Sequence, residues 1–273
     1  MQDLTLPAQT RLAFPVDVRK LLRLAAIAAG RAAMPYFRPD ATTTARISYK
    51  DGGSPVTEAD FAANDAIRVV LMDAMPEAAF FSEENDDDGA RFDKRSVFVI
   101  DPIDGTRAFI QGRNEWCISI ALMEAGVPVA GVVFAPARNQ MFEAVTGTGA
   151  FLNAVRLKPL TAPGNSPSRL AAPHRLLHRI IADHQDMVAA DPLRALAYRL
   201  TAVAGDDIDA ALASGGAQDW DIAAADVILA EVGCSLLTDT GGRPVYNAAK
   251  PVHPALIAAH QELVPRLIPY LAG

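Results

Sequence analysis

The sequence predicts an α/β (α+β) protein built in two halves, and three observations carry that prediction. Apolar segments of strand length follow one another between residues 97 and 145 with turn residues between them. Helix-length segments rich in Ala and Leu flank this region. Pro159 to Ser168, with three prolines among small polar residues, separates the two patterns and reads as a hinge. The expected division is an N-terminal α+β half over 1–158 and a C-terminal α/β half over 159–273, joined as one tightly packed unit.

Each element has its own justification. Val16 to Phe37 is rich in Ala, Leu and Arg with no proline until Pro35, which predicts the first helix. Ala41 to Lys50 reads as extended and leads into the loop Asp51-Gly52-Gly53. After Thr57, Phe61, Ile67, Val70, Leu71 and Ala74 recur at mostly helical spacing, and Thr57 with Asp60 has the form of a helix N-cap pair. Phe80-Phe81 running into Ser82-Glu83-Glu84 reads as a short strand, with Asp86, Asp87 and Asp88 as its solvated continuation. Val97 to Ile100 is a buried strand. Trp116 to Met123 and Val127 to Phe134, joined by Glu124-Ala125-Gly126, predict an antiparallel meander that Met141 to Val145 extends, with a turn at Thr146 to Gly149. Past the proline-rich segment come helices at Leu193 to Val203 and Asp221 to Val232, the latter with a buried stripe of Ile222, Ala225, Leu229 and Val232. A strand at Cys234 to Thr238 and a last helix near Pro254 to Leu271 complete the reading.

Composition narrows the class. The chain has 273 residues, 51% hydrophobic and 21% charged, enough for a sizeable core. A formal net charge of −7 leaves no electrostatic footprint for nucleic acid or an anionic membrane surface. Residues 1–15 lack a basic start followed by an apolar core, and no run approaches the ~18 apolar residues of a membrane span, so a cytoplasmic protein is expected. Cys117 and Cys234 indicate neither a disulfide framework nor a zinc site, and both sit in apolar segments that suit a buried thiol.

Three acidic clusters carry the chemistry. Asp101-Pro102-Ile103-Asp104-Gly105-Thr106 sets two carboxylates three positions apart at the end of a buried strand. Like charges held close raise each other's pKa, and a fold that keeps both ionised supplies a cation between them. Oxygen ligands suit a hard ion such as Mg²⁺, and Gly105-Thr106 could present backbone N–H groups to a phosphate. Taken alone, the same residues read equally well as an Asp-Pro turn. Glu83-Glu84 ends the strand that should lie beside Asp101. Far along the chain, Asp221 falls in the first turn of a helix, where the dipole favours a negative charge and the adjacent Trp220 would hold it rigidly. The five histidines lie outside these clusters and read as structural or solvated.

As a set, Asp101-Pro102-Ile103-Asp104-Gly105-Thr106, the upstream Glu83-Glu84 and the downstream Trp220-Asp221-Ile222-Ala223-Ala224 resemble the inositol monophosphatase superfamily, over roughly residues 50 to 247. That resemblance implies a five-layer αβαβα sandwich with the site between the halves, and Mg²⁺-dependent, lithium-sensitive hydrolysis of a small phosphate monoester. It implies two or three Mg²⁺ ions held by Glu83, Asp101, the backbone carbonyl of Ile103, Asp104 and Asp221, and phosphate held by the amides of Gly105 and Thr106. Asp60 and Thr106, with Glu83, resemble the groups that orient the attacking water. A homodimer is the quaternary state the resemblance implies. Chemistry agrees: a monoester dianion repels hydroxide, so catalysis must neutralise the phosphoryl oxygens and acidify water, both of which Mg²⁺ does.

The substrate reading divides. Inositol monophosphatases carry a Glu a few residues before the Trp-Asp pair, where this chain has Ala213-Ser214-Gly215-Gly216-Ala217, and Arg194-Ala195 replaces their Gly-Ser or Gly-Thr. Ser54 to Asp60 and Gly126 to Pro136 look more like bacterial 3′-phosphoadenosine 5′-phosphate phosphatases, while Thr106 to Gly112 resembles histidinol-phosphate phosphatases. Arg107, Arg113 and Arg194 are candidates to meet a second phosphate, and Ser214 to touch substrate, although each Arg also reads as a solvated surface residue. The expected substrate is 3′-phosphoadenosine 5′-phosphate or inositol monophosphate, with histidinol phosphate and fructose 1,6-bisphosphate as alternatives. From another class comes an RNA- or transcription-associated binding protein with secondary phosphatase activity, against which the intact acid set argues.

Overall fold

Alternation along the strands decides the architecture, because successive side chains of one strand enter different cores. The computed structural model describes residues 16–161 and 167–271. Residues 1–15 and 162–166, and with them the reading of the chain start and half of the expected hinge, lie outside the described residues. The first half contains α1 (Val18–Ala33), the hairpin β1 (Ile47–Tyr49) and β2 (Pro55–Thr57), α2 (Glu58–Ala74), β3 (Ala79–Ser82), β4 (Ser96–Asp104) and α3 (Thr106–Ile110). The meander β5 (Cys117–Glu124), β6 (Val127–Ala135), β7 (Gln140–Val145), β8 (Ala150–Leu152) and β9 (Val155–Arg156) follows. Strands β3 to β9 form a seven-stranded sheet in sequence order, antiparallel except for the parallel pair β3–β4.

The second half contains β10 (Ser168–Ala171), α4 (His174–Asp183), β11 (Met187–Ala189), α5 (Leu196–Ala204), β12 (Ala210–Ala213), α6 (Asp219–Ala230), β13 (Cys234–Thr238), β14 (Leu256–His260) and α7 (Val264–Leu267). Its strands form a five-stranded mixed sheet in the order β11-β10-β12-β14-β13. Phe98, Ile100, Ile118, Ile120 and Leu122 face α1 and α2, whereas Val97, Val99, Ala121, Met123 and Val133 face α5 and α6. The second sheet repeats the division: Leu236, Leu256 and Ala258 share the core of α5 and α6, while Leu212, Ile257 and Ala259 pack toward α4 and α7. The result is the five-layer αβαβα sandwich.

Several expectations need correction. The last helix near Pro254 to Leu271 is instead β14 followed by the short α7 and a 3₁₀ turn at Ile268–Tyr270, because Leu256–His260 fills the slot between β12 and β13. Strands β10, β11 and β12 and helix α4 have no counterpart in the sequence reading. Helix α5 starts at Leu196 rather than Leu193. Helix α6 has no single buried stripe: Ile222, Ala223, Ala224, Ala225, Val227, Ile228 and Leu229 are all buried, as a helix held between two sheets requires. On α2 the buried face is Ala59, Ala63, Ile67 and Leu71, and Phe61 is exposed.

Close approach of α6 to the first sheet depends on one glycine. A Cβ on Gly131 of β6 would lie 2.5 Å from the backbone oxygen of Ala224. Gly131→Ala should therefore cost about 1–3 kcal/mol of stability, the scale of overpacking a core. Chemical denaturation checks this; an unchanged midpoint would show that α6 can retreat without loss.

Candidate active site

A backbone irregularity in β4 makes the acidic cluster. In a regular strand, residues three apart point to opposite faces of the sheet. Here Asp101 lies opposite Ser119 and Asp104 opposite Cys117, so β4 spends three steps where β5 spends two. This bulge turns both carboxylates toward the face that carries α6. Pro102, which has no N–H to offer a ladder, sits where the ladder is interrupted. The Asp101 carboxylate accepts from the N–H of Ile103 at 3.0 Å, which holds the bulge in shape.

Asp221 arrives from the other half. Its side chain accepts from the N–H of Gln218 at 2.6 Å in the first turn of α6, a reciprocal cap that fixes the carboxylate at the helix start. Trp220 packs against Phe81 with ring centroids 5.1 Å apart, and its carbonyl accepts from Ser119 Oγ at 3.0 Å. Asp101, Asp104 and Asp221 thereby each bring a carboxylate oxygen to within 4.8 Å of the other two. All three are raised above the usual carboxylate value, first by burial; Glu83 and then Asp104 and Asp221 add to this at Asp101, Asp104 and then Glu83 at Asp221, and Glu83 at Asp104. For Asp104, N–H groups from Leu196 and Ala197 work the other way, and the Ala197 bond is 2.6 Å long.

Glu83 is beside this trio but not within it. Its N–H donates to Ile100 O at 3.1 Å, which fixes the end of β3 against β4. Its carboxylate pairs with Lys50 Nζ at 2.9 Å, and the same ammonium reaches Glu84 at 3.0 Å. Burial lowers the Lys50 pKa, but the two glutamates outweigh it and leave the group raised. Glu84 is pushed up to about 7, chiefly by burial and against the pull of Lys50. Lys50 and Glu84 were not singled out as site residues; Lys50 reaches the acids from a hairpin loop that sequence spacing cannot place.

Asp60 and Thr106 do meet. Asp60 accepts from the N–H and hydroxyl of Thr57 at 2.8 and 2.6 Å, so the N-cap reading holds, and its other oxygen lies 3.3 Å from Thr106 Oγ1. That hydroxyl also lies 3.1 Å from Ile103 O. Burial lifts Asp60 to about 6 against the lowering effect of its Thr57 bonds. Gly105 has φ +88° and starts α3; a Cβ there would come within 3.1 Å of Ala195 and 3.2 Å of Glu115 O. Arg107 and Ser214 are exposed. Arg194 is half exposed beside Glu115.

Two supports were missed in the sequence. Asp219, fully buried, accepts from Asn247 N at 2.8 Å and pairs with His253 Nε2 at 2.7 Å, tying the start of α6 to the loop before β14. Cys117 lies 3.7 Å from Asp104, and burial, then that carboxylate, pushes its thiol well up.

A seven-stranded sheet packed through a helical layer onto a second sheet carries, at the join, an all-oxygen acid cluster that could hold a metal ion. The sequence model of the inositol monophosphatase family matches residues 16–272, and the chain belongs to that family. It is 31% identical over 249 residues to the Nus factor SuhB of Pasteurella multocida, covering 85% of this chain and 86% of that protein. It is 30% identical over 247 residues to the histidinol-phosphatase of Mycobacterium tuberculosis, covering 81% and 88%. The crystal structure of the extragenic suppressor protein suhB from Bartonella henselae superposes with a TM-score of 0.80 at 25% identity, over 94% of this chain and 98% of that one. Among the described residues no helix is long and apolar enough to cross a membrane.

The raised carboxylates give a pH dependence of definite sign. Asp60 moves from 3.8 to about 6 and Glu84 from 4.5 to about 7 on folding. Groups raised in this way stabilise the protein below the unfolded pKa, and that stability is lost as pH rises through the folded pKa. A bound divalent cation reverses the repulsion, so the increase in melting temperature produced by Mg²⁺ should be small near pH 5 and grow toward pH 8. Thermal scans with and without chelator measure it; an increment independent of pH would contradict the cluster's electrostatics.

Proposed function

We propose that this protein hydrolyses a small-molecule phosphate monoester by water activated at a Mg²⁺ site formed by Asp101, Asp104 and Asp221, with Glu83 and the carbonyl of Ile103 completing the ligand set. The observation that carries the reading is the approach of the carboxylates of buried Asp101 and Asp104 and half-buried Asp221 to within 4.8 Å across the two halves of the chain. Their donor set fits a hard divalent cation: it is all oxygen and anionic, and it is unfavourably repulsive without positive charge. Bound Mg²⁺ would supply charge neutralisation on the phosphoryl oxygens and a lowered pKa for water.

The chain's own groups do the rest. Gly105 and Thr106 offer first-turn amides to the phosphate, and the left-handed backbone of Gly105 brings that turn against Ala195 and Glu115. Thr106 Oγ1 directs its proton toward Asp60 or Ile103 O, leaving its lone pairs to orient the attacking water. Asp60, near half-ionised at about pH 6, can accept the proton that reaches it through Thr106. Glu83, paired with Lys50 in this structure, would complete the ligand set by exchanging that ammonium for the cation.

The substrates this reading puts first are 3′-phosphoadenosine 5′-phosphate and inositol monophosphate, with histidinol phosphate and fructose 1,6-bisphosphate next. The strand end at Ala213 leads into exposed Ser214, Gly215 and Gly216, with no carboxylate there to pair with a polyol. Steady-state comparison of the four substrates tests the choice, and a specificity-constant ratio above ~100, about 2.7 kcal/mol, decides it. Phosphate release should require Mg²⁺ and fall with added Li⁺. Asp104→Asn should lower kcat/KM by about 10²–10³-fold, the scale of losing one preorganised charge, without lowering the melting temperature in chelator. Near-normal turnover of that variant at ordinary Mg²⁺ would remove Asp104 from the site, and no turnover of any monoester by the native protein would refute the reading.

A further inference from the structure

The floor of the site is anionic, but one wall of it is cationic. Arg113 Nη1 and Arg194 Nε lie 3.9 and 3.8 Å from the same oxygen of Glu115. One carboxylate therefore faces two guanidinium groups, and neither contact is as short as a hydrogen bond. Glu115 is 10% exposed and the two arginines 50% and 52%, so the acid is walled in while both cations present donors to solvent. Arg138 adds a third positive charge, anchored to Asn114 Oδ1 at 3.0 Å and lying over the Tyr198 ring. In a chain of net charge −7, this local excess of positive charge stands out.

Its place is fixed relative to the phosphate turn. The backbone at Gly105 leaves no room for a side chain between Ala195 and Glu115, the immediate neighbours of Arg194 and Asn114. Ala197 N–H donates to Asp104, which ties the segment after Arg194 to the acid cluster. Arg113 N–H donates to Ala108 O, which ties the other arginine to the end of α3. Both cations thus rise from backbone that touches the turn proposed to hold the scissile phosphate.

We propose that Arg113 and Arg194, held beside one another by Glu115, form a subsite for a second anionic group, so that the preferred substrates are phosphate monoesters carrying another phosphate or carboxylate. This inference rests on the phosphatase reading and refines its substrate class. Guanidinium groups suit the role because each can bind an oxyanion bidentately, and Glu115 keeps two like charges close without cancelling both. The same wall disfavours a substrate whose far end is an ammonium, which the arginines repel.

The test compares 3′-phosphoadenosine 5′-phosphate and fructose 1,6-bisphosphate with glycerol 2-phosphate, which has no second anion, in the native protein and in Arg113→Ala/Arg194→Ala. The double variant should lose about 30–100-fold in kcat/KM on the two bisphosphates, mainly through KM, and change within about threefold on glycerol 2-phosphate. Arg113→Lys/Arg194→Lys, which keeps the charge, should recover part of the loss. Equal losses on all three substrates, or no loss on the bisphosphates, would overturn the subsite. If the native protein hydrolyses no monoester, the phosphatase reading fails separately, and calorimetry with Ca²⁺ in place of Mg²⁺ still reads the arginines. There 3′-phosphoadenosine 5′-phosphate should bind at least about tenfold more tightly than adenosine 5′-phosphate, a margin lost in the double alanine variant; equal affinities in the native protein would overturn the proposal.

Discussion

Repulsion among buried carboxylates is the constraint around which this protein is arranged. Unit charges about 4 Å apart interact by about 4 kcal/mol at an effective dielectric near 20, and Asp101, Asp104 and Asp221 are closer to that limit than to bulk water. No isolated segment would hold them together. They stay together because each sits on backbone that cannot relax: the bulge of β4, the first turn of α6, and a strand pair whose far sides are packed with Phe98, Ile100 and Ile118.

The middle helical layer transmits that rigidity. Helix α6 buries apolar residues around its circumference because it is covered by both sheets, and Gly131 lets it lie directly on β6. Its first turn is pinned from behind by Asp219, whose partners His253 and Asn247 belong to the loop before β14. Arg91 reaches the same loop, bonding Asn247 Oδ1 at 2.6 Å and Ala248 O at 2.8 Å while stacking over Phe81. Phe81 in turn supports Trp220, so one connected set of contacts runs from the first sheet through the C-terminal loop to the residue beside Asp221.

Charge is distributed to match. Lys50 supplies positive charge to Glu83 and Glu84, and Arg113, Arg138 and Arg194 gather around Glu115 and Asn114.

The sequence by itself determined the family, the acid motifs and the first-half meander, because each depends on residues near one another in the chain: strand periodicity, turn glycines, and carboxylates at strand or helix ends. Thr57 and Asp60 show the limit of such local reading, since their N-cap spacing follows from the residues alone, whereas the pairing of Asp60 with Thr106 came only from the family resemblance. Strand β14 was mistaken for part of a helix because Ala-rich apolar residues suit either period until β12 and β13 leave a gap to fill. Only the tertiary structure decided that three steps along β4 bring two carboxylates to one face and that Lys50 pairs with Glu83. It likewise decided that Arg113 and Arg194 share one acid across 81 positions of chain. These are long-range juxtapositions, fixed by packing of layers rather than by any preference of the residues themselves.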